Sequence, residues 1–108
     1  MGEILELAER AWKENLPRHQ LHPGQALVGF EELETNIGFM SAFSNVGVID
    51  TDDGLVFLDT SSFFHAEALH QAIRNWSTKP VHTAVYTHGH VDHVFGLAPF
   101  EAEAQDRG

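Results

Sequence analysis

The segment Thr87-His-Gly-His-Val-Asp-His93 gathers three histidines and an aspartate within six residues. The chain has no cysteine, so any transition-metal site in it relies on imidazole and carboxylate, and those are the types gathered here. In an extended segment His88 and His90 point the same way, because side chains alternate, so two imidazoles can reach one ion. Gly89 between them removes bulk and lets the backbone bend. Asp92 and His93 are adjacent, and a regular strand would separate them. A turn into a following helix would bring both toward a second ion. The competing reading is an accidental cluster or the remnant of a purification tag. Val91 and Asp92 interrupt any tag, and a strand pattern leads directly into the motif.

The elements that must hold these residues follow from hydrophobic periodicity. Ile4, Leu5, Ala8, Ala11, Trp12 and Leu16 recur at helical spacing and predict an amphipathic helix over 3–16, ended by Pro17. Residues 18–25, with Pro23-Gly24, read as a loop. From 26 to 60 the pattern is that of strands. Residues 45–50 and 55–59 flank Thr51-Asp-Asp-Gly54 and predict a hairpin, with Asp53-Gly54 as its turn. Leu55 to Leu58 is apolar on successive residues, which predicts a strand covered on both faces. Ser61 or Ser62 is a candidate cap for a helix whose buried face is Ala66, Leu69, Ala72 or Ile73, and Trp76. Pro80 ends it, and 81–87 predicts another buried strand. Strand, helix and strand at this spacing form a βαβ unit. Pro99 suits a first helical position, with 100–105 continuing the helix.

Composition narrows the function. The chain has 108 residues, enough for one modest core, and 43% are hydrophobic. Sixteen acids against six bases give a net charge of −10, which argues against nucleic acid and against an anionic membrane surface. No apolar run approaches the roughly 20 residues that span a bilayer, and no secretory signal is visible, so a cytoplasmic location is expected.

The residues 87–93 resemble the His-x-His-x-Asp-His signature of the metallo-β-lactamase superfamily, matched at His88, His90, Asp92 and His93. Leu55-Val-Phe-Leu-Asp-Thr60 is similar to that family's earlier strand ending in aspartate, matched at Asp59. The resemblance runs from about Val28 to the C-terminus. Tyr86 to His93 is most similar to alkylsulfatase-type members. The chain departs from the frequent Gly-Gly after the motif, having Val94-Phe-Gly96.

The resemblance implies an α/β (α+β) fold, the N-terminal half of an αβ/βα sandwich. Residues 1–25 would then be an N-terminal helix and loop, and 26–108 the first half of that sandwich. It implies one or two metal ions, usually zinc, the first on His88 and His90 and the second on Asp92 and His93. Zinc lowers the pKa of a bound water from 15.7 to about 7, and the hydroxide attacks an ester-type substrate: a sulfate ester, thioester, lactone or β-lactam. Asp92 would also move a proton. Asp59 would accept a hydrogen bond from a ligand imidazole and fix its tautomer. Its plainer alternative is a cap at a strand-to-helix turn.

Other candidates carry less. His82 reads as a core or edge residue, His65 and His70 as solvent-facing, Trp12 and Trp76 as core. His19 and His22 lie in the early loop. Ser61 and Ser62 read as caps, not nucleophiles. The family's site takes further ligands from a second half, and no histidine follows His93. The expectation is a partial domain, completed by a C-terminal half or by self-association, with little or no hydrolysis by these 108 residues alone. Two classes stand: a metal-dependent hydrolase acting on a small molecule, or a non-catalytic metal-binding or assembly module completed by a partner. In either case the apolar residues of 46–58 and 81–85 should be partly exposed.

Overall fold

The structure is a computed structural model that describes residues 2–17, 29–42 and 44–107. Five strands form one sheet in sequence order: β1 (Gly29–Glu34), β2 (Ile37–Ser41), β3 (Val46–Thr51), β4 (Gly54–Leu58) and β5 (Val81–Val85). The first four pair antiparallel, as short connections require, and β5 pairs parallel to β4. The parallel pair is bridged by a short 3₁₀ turn (Phe63–His65) and helix α2 (Ala66–Trp76), the expected βαβ unit. After β5 come α3 (Val91–Val94), a second 3₁₀ turn (Phe95–Leu97) and α4 (Ala98–Arg107).

One face of the sheet holds the core. Met40, Val46, Val48, Leu55 and Phe57 are buried against Leu69 and Ile73 of α2 and Phe100 of α4. Phe57 and Phe100 meet edge-on with centroids 5.0 Å apart. The other face is open. Ile37, Ile49, Leu58 and Val85 are 43, 39, 45 and 47% exposed. Registers Ile37↔Ile49 and Leu58↔Val85 place them side by side in pairs. The expected partial exposure of the apolar strands is therefore present. It also corrects the two strands read as buried throughout. Leu55 and Phe57 are covered while Leu58 is not, and Val85 lies on an edge strand with one open face.

The hairpin turn is the pair Asp52-Asp53, since Thr51 pairs with Gly54. Gly54 follows the turn at φ +129°, and a Cβ there would meet the Pro80 carbonyl oxygen at 2.7 Å. Glycine is needed because neither the backbone angle nor the space admits a side chain.

Helix α1 (Glu3–Lys13) forms, but no residue of it is buried and Trp12 is 87% exposed, so Trp12 is not a core residue. Its first amides, those of Ile4 and Leu5, donate to the Glu31 carboxylate at 3.2 and 3.4 Å. Trp76 is half-buried against Phe30, centroids 5.3 Å apart, and donates its indole N–H to Glu32. Residues 18–25, with His19 and His22, lie outside the described residues. No helix among the described residues is long and apolar enough to cross a membrane.

Candidate metal centre

The motif begins where β5 ends. Because β4 and β5 run parallel, their C-terminal ends lie side by side, and the residues that leave them meet. Asp59 leaves β4 and donates its backbone N–H to Val85 O at 2.8 Å. Thr87 leaves the β5 side and donates back twice, through its N–H to Asp59 Oδ1 and its hydroxyl to Asp59 Oδ2, each at 2.8 Å. The chain then turns through His88-Gly-His90 into α3, which starts at Val91 and carries Asp92 and His93. The predicted turn into a helix is present, and it brings His93 back over Asp59. His93 Nδ1 lies 2.8 Å from Asp59 Oδ2.

Asp59 itself sits at φ +61°, in the left-handed region that aspartate tolerates better than most residues. Its carboxylate caps no helix. It is only 6% exposed and its oxygens are occupied by Thr87 and His93. Burial pushes its pKa up, but the bonds from the Thr87 amide, the His93 ring and the Thr87 hydroxyl outweigh burial and hold it below the usual carboxylate range.

The donor logic of this network sets the tautomers of two histidines. An ionised carboxylate only accepts, so His93 Nδ1 carries the hydrogen and Nε2 of the neutral ring keeps its lone pair. Thr87 has one hydroxyl hydrogen and gives it to Asp59. Its Oγ1 lies 2.9 Å from His88 Nδ1 and must then accept, so His88 also keeps its lone pair on Nε2. One carboxylate thus presents two imidazole nitrogens outward, directly at His93 and through a hydroxyl at His88. The ring centroids of His88 and His93 are 4.0 Å apart, and those of His88 and His90 are 4.5 Å apart.

On the other side of His93, Asp92 Oδ2 stands 3.6 Å from Nε2. Two ligand atoms about 2 Å from a tetrahedral zinc ion stand about 3.3 Å apart. The pair therefore has the chemistry and roughly the separation of two ligands to one ion. Ser44 Oγ lies 2.5 Å from Asp92 Oδ2 and 3.4 Å from His93 Nε2. The Ser44 hydrogen bond, with the nearby His93 and His90 rings, holds the Asp92 carboxyl below its ordinary range. Among the described residues, no three histidine, aspartate or glutamate side chains are placed to close around one ion.

A backbone lock ties the motif to the end of β4. Thr60 is fully buried and donates both its N–H, at 2.8 Å, and its hydroxyl, at 3.0 Å, to the His93 carbonyl. Gly96 N–H donates to Thr60 Oγ1 at 3.3 Å. A Cβ on Gly96 would fall 1.6 Å from the Thr60 carbonyl oxygen, so only glycine allows this approach.

Ser44, Thr60, Thr87 and Gly96 were not singled out from the sequence as parts of the site. Thr87 adjoins the motif, and its position was the available signal. Ser44 is 48 residues from Asp92, and only the folded sheet brings them together. The remaining readings divide. His82 is exposed on β5. His65 and His70 are half-buried, not solvent-facing. His65 Nδ1 lies 3.1 Å from Ser62 Oγ. His70 packs on Phe100, centroids 4.9 Å apart, and bonds Glu103. Neither Ser61 nor Ser62 caps through its side chain. Ser62 precedes the 3₁₀ turn without a capping bond, and Ser61 Oγ is buried at φ +62° with no partner among the described residues.

Comparison with known proteins bears on the family and the fold. The sequence profile of the metallo-β-lactamase superfamily matches residues 42–107, more than half of the chain. A search of curated protein sequences finds no match. Among solved structures, the chain is similar to BJP-1, a subclass B3 metallo-β-lactamase of Bradyrhizobium japonicum, at TM-score 0.63 and 25% identity over 80% of this chain. It is also similar to the stereoselective inverting sec-alkylsulfatase Pisa1 from Pseudomonas sp., at TM-score 0.60 and 26% identity over 75% of this chain. A metallo-β-lactamase from Cronobacter sakazakii shares the fold at TM-score 0.63 and 14% identity over 81% of this chain. The chain spans 34, 14 and 33% of the length of those three proteins. By its matching profile, its mixed sheet-and-helix fold and these neighbours, the chain belongs to the metallo-β-lactamase superfamily.

Proposed function

We propose that the chain contributes half of the active site of a zinc-dependent hydrolase acting on a small ester-type or lactam substrate. The observation that carries this reading is the pairing of His93 with Asp59 at Nδ1 and with Asp92 across Nε2. It is an arrangement that frees a nitrogen lone pair beside a carboxylate oxygen. His88 and His90 would hold a first ion, and Asp92 and His93 a second. Bound there, zinc would supply a Lewis acid and a water acidified to near neutrality. The protein's part is preparation. Asp59 and Thr87 hold the His88 and His93 rings, so neither has to reorient on binding. Asp92, kept ionised by its lowered pKa, would accept a hydrogen bond from a water held there and orient it, and would be a weak base toward its proton.

The further ligands and the cover for the open sheet face would come from residues outside these 108, in a continuing chain or a partner. The short coverage of the solved relatives and the exposed Ile37, Ile49, Leu58 and Val85 support this. Both neighbour classes, a β-lactamase and a sec-alkylsulfatase, fit the ester-type or lactam range, and the resemblance around Tyr86 to His93 favours the sulfate ester. The test is to assay the full-length protein, zinc-loaded and chelator-treated, against alkyl sulfates, thioesters, lactones and β-lactams in parallel. Zinc-dependent turnover of one class is expected. Turnover that survives complete metal removal, or none with any class, would overturn the hydrolase reading. The second reading, a metal-binding or assembly module, would then rest on retained zinc with no turnover.

A further inference from the structure

We infer that Ser44 is the positioning residue for the second metal site, through Asp92; this rests on the metal reading above. Ser44 is 5% exposed, in the short connection between β2 and β3. Around it, the Ala42 amide donates to Asn45 Oδ1 at 3.1 Å, and Val46 is fully buried. Ser44 is thus buried, with held residues at Ala42, Asn45 and Val46 beside it.

The Ser44 hydroxyl has one hydrogen, and Asp92 Oδ2 at 2.5 Å takes it, since an ionised carboxylate cannot donate. In the neutral ring, His93 Nε2, 3.4 Å from Ser44 Oγ, carries no hydrogen because Nδ1 holds the one that it donates to Asp59. Ser44 Oγ, Asp92 Oδ2 and His93 Nε2 thus form a triangle in which the one available hydrogen lies on the Ser44–Asp92 edge. The Asp92–His93 edge, 3.6 Å long, holds none and is left open to a cation. Asp92 is a short side chain on a four-residue helix and is half-buried. Besides its own backbone N–H, Ser44 is the partner that holds the Asp92 carboxylate among the described residues, so without Ser44 the carboxylate is freer to rotate away from His93 Nε2. Among the described residues the Ser44 hydroxyl bonds Asp92 and lies near His93, and it has no hydrogen bond to His88 or His90, so the first site should depend on it less.

The experiment measures zinc binding by titration calorimetry, and the visible spectrum of the cobalt-substituted protein, in the full-length chain. The variants are Ser44→Ala, Ser44→Thr and the His88→Ala/His90→Ala pair. Ser44→Ala should weaken the second binding step by about 10- to 100-fold, the range for removing a group that orients a metal ligand. The first step should stay within a few-fold. Ser44→Thr, which keeps the hydroxyl, should restore the second step and its cobalt spectrum. If Ser44→Ala does not fold by circular dichroism, Ser44→Thr with unchanged spectrum supports the inference and an altered one overturns it. Two intact steps in Ser44→Ala, with the histidine pair weakened, would overturn the role of Ser44 and leave the metal reading standing. Unchanged binding in every variant would overturn both.

Discussion

The His93 ring is held at Nδ1 by Asp59 Oδ2 at 2.8 Å, across 34 residues of sequence. With the Thr60 bonds to the His93 carbonyl, this contact joins the end of β4 to the helix that carries Asp92 and His93, and it orients a ring without using the nitrogen that faces Asp92. Replacing Asp59 with Ala removes the acceptor for His93 Nδ1–H, the Thr87 amide and the Thr87 hydroxyl. Leaving the part-buried His93 Nδ1–H without an acceptor costs up to about 1–3 kcal/mol, and less at exposed Thr87, where water can replace the carboxylate. Asp59→Ala is expected to lose about 1–3 kcal/mol of stability in urea unfolding and to bind zinc at least 10-fold more weakly. A variant as stable as the parent would show that the network does not hold the site.

Gly96 is expected to be among the least replaceable residues. A Cβ at this position falls 1.6 Å from the Thr60 carbonyl oxygen, which is backbone and cannot swing aside. Gly96→Ala must push α3 away from the end of β4 and break the bonds from Thr60 to the His93 carbonyl. A loss of about 3 kcal/mol or more is expected, the upper range for overpacking a buried site. Thermal unfolding checks this, and a melting temperature within a degree of the parent would contradict it.

The motif and the elements that lead into it are legible in the sequence. Alternation and turn residues placed β3, β4, α2 and β5 within a few positions of their observed bounds, because local backbone preference and tertiary packing agree there. The six-residue cluster was legible because its ligand types are contiguous. The apolar run Leu55 to Leu58 misled, since it looks the same whether its second face is covered by this chain or by something else. Trp12 misled for a related reason: helical periodicity reports a helix with an apolar face and not what that face touches. Ser44 and Thr60 were illegible because their importance lies in long-range contacts with α3, and small hydroxyl residues occur everywhere in turns.

Acid will loosen α4 through one carboxylate. Glu103 accepts from Arg74 Nε and Nη2, at 3.1 and 2.7 Å, and bonds His70. The Arg74 bonds outweigh burial and, with His70, lower Glu103 from 4.5 to about 2. A carboxylate whose folded pKa is depressed adds stability above its unfolded value and loses it as pH falls through the folded one. The contribution is full above about pH 4.5 and gone near pH 2. It amounts to at most about 3 kcal/mol, from a shift of 4.5 to about 2. The stability difference between the parent and Glu103→Gln should be constant above about pH 5 and vanish toward pH 2. A difference that does not narrow in acid would contradict it.

The open sheet face predicts association. Ile37, Ile49, Leu58 and Val85 present side-by-side apolar pairs, and β5 is an edge strand of the sheet among the described residues. Such surfaces promote self-association. The 108 residues expressed alone should sediment as dimers or larger species at micromolar concentration, and Ile49→Lys with Leu58→Lys should shift them toward monomer. A monodisperse parent monomer that unfolds cooperatively would show that the face needs no cover.

The central claim is that His88, His90, Asp92 and His93 form a metal site, and metal content tests it most directly. Zinc is measured by elemental analysis after the chain is loaded and exhaustively dialysed, for the parent and for His88→Ala/His90→Ala. The parent should retain zinc in stoichiometric amount, one or two ions per chain, and the double variant should lose at least one of them while keeping its circular dichroism spectrum. Equal zinc in the parent and the folded double variant would contradict the account.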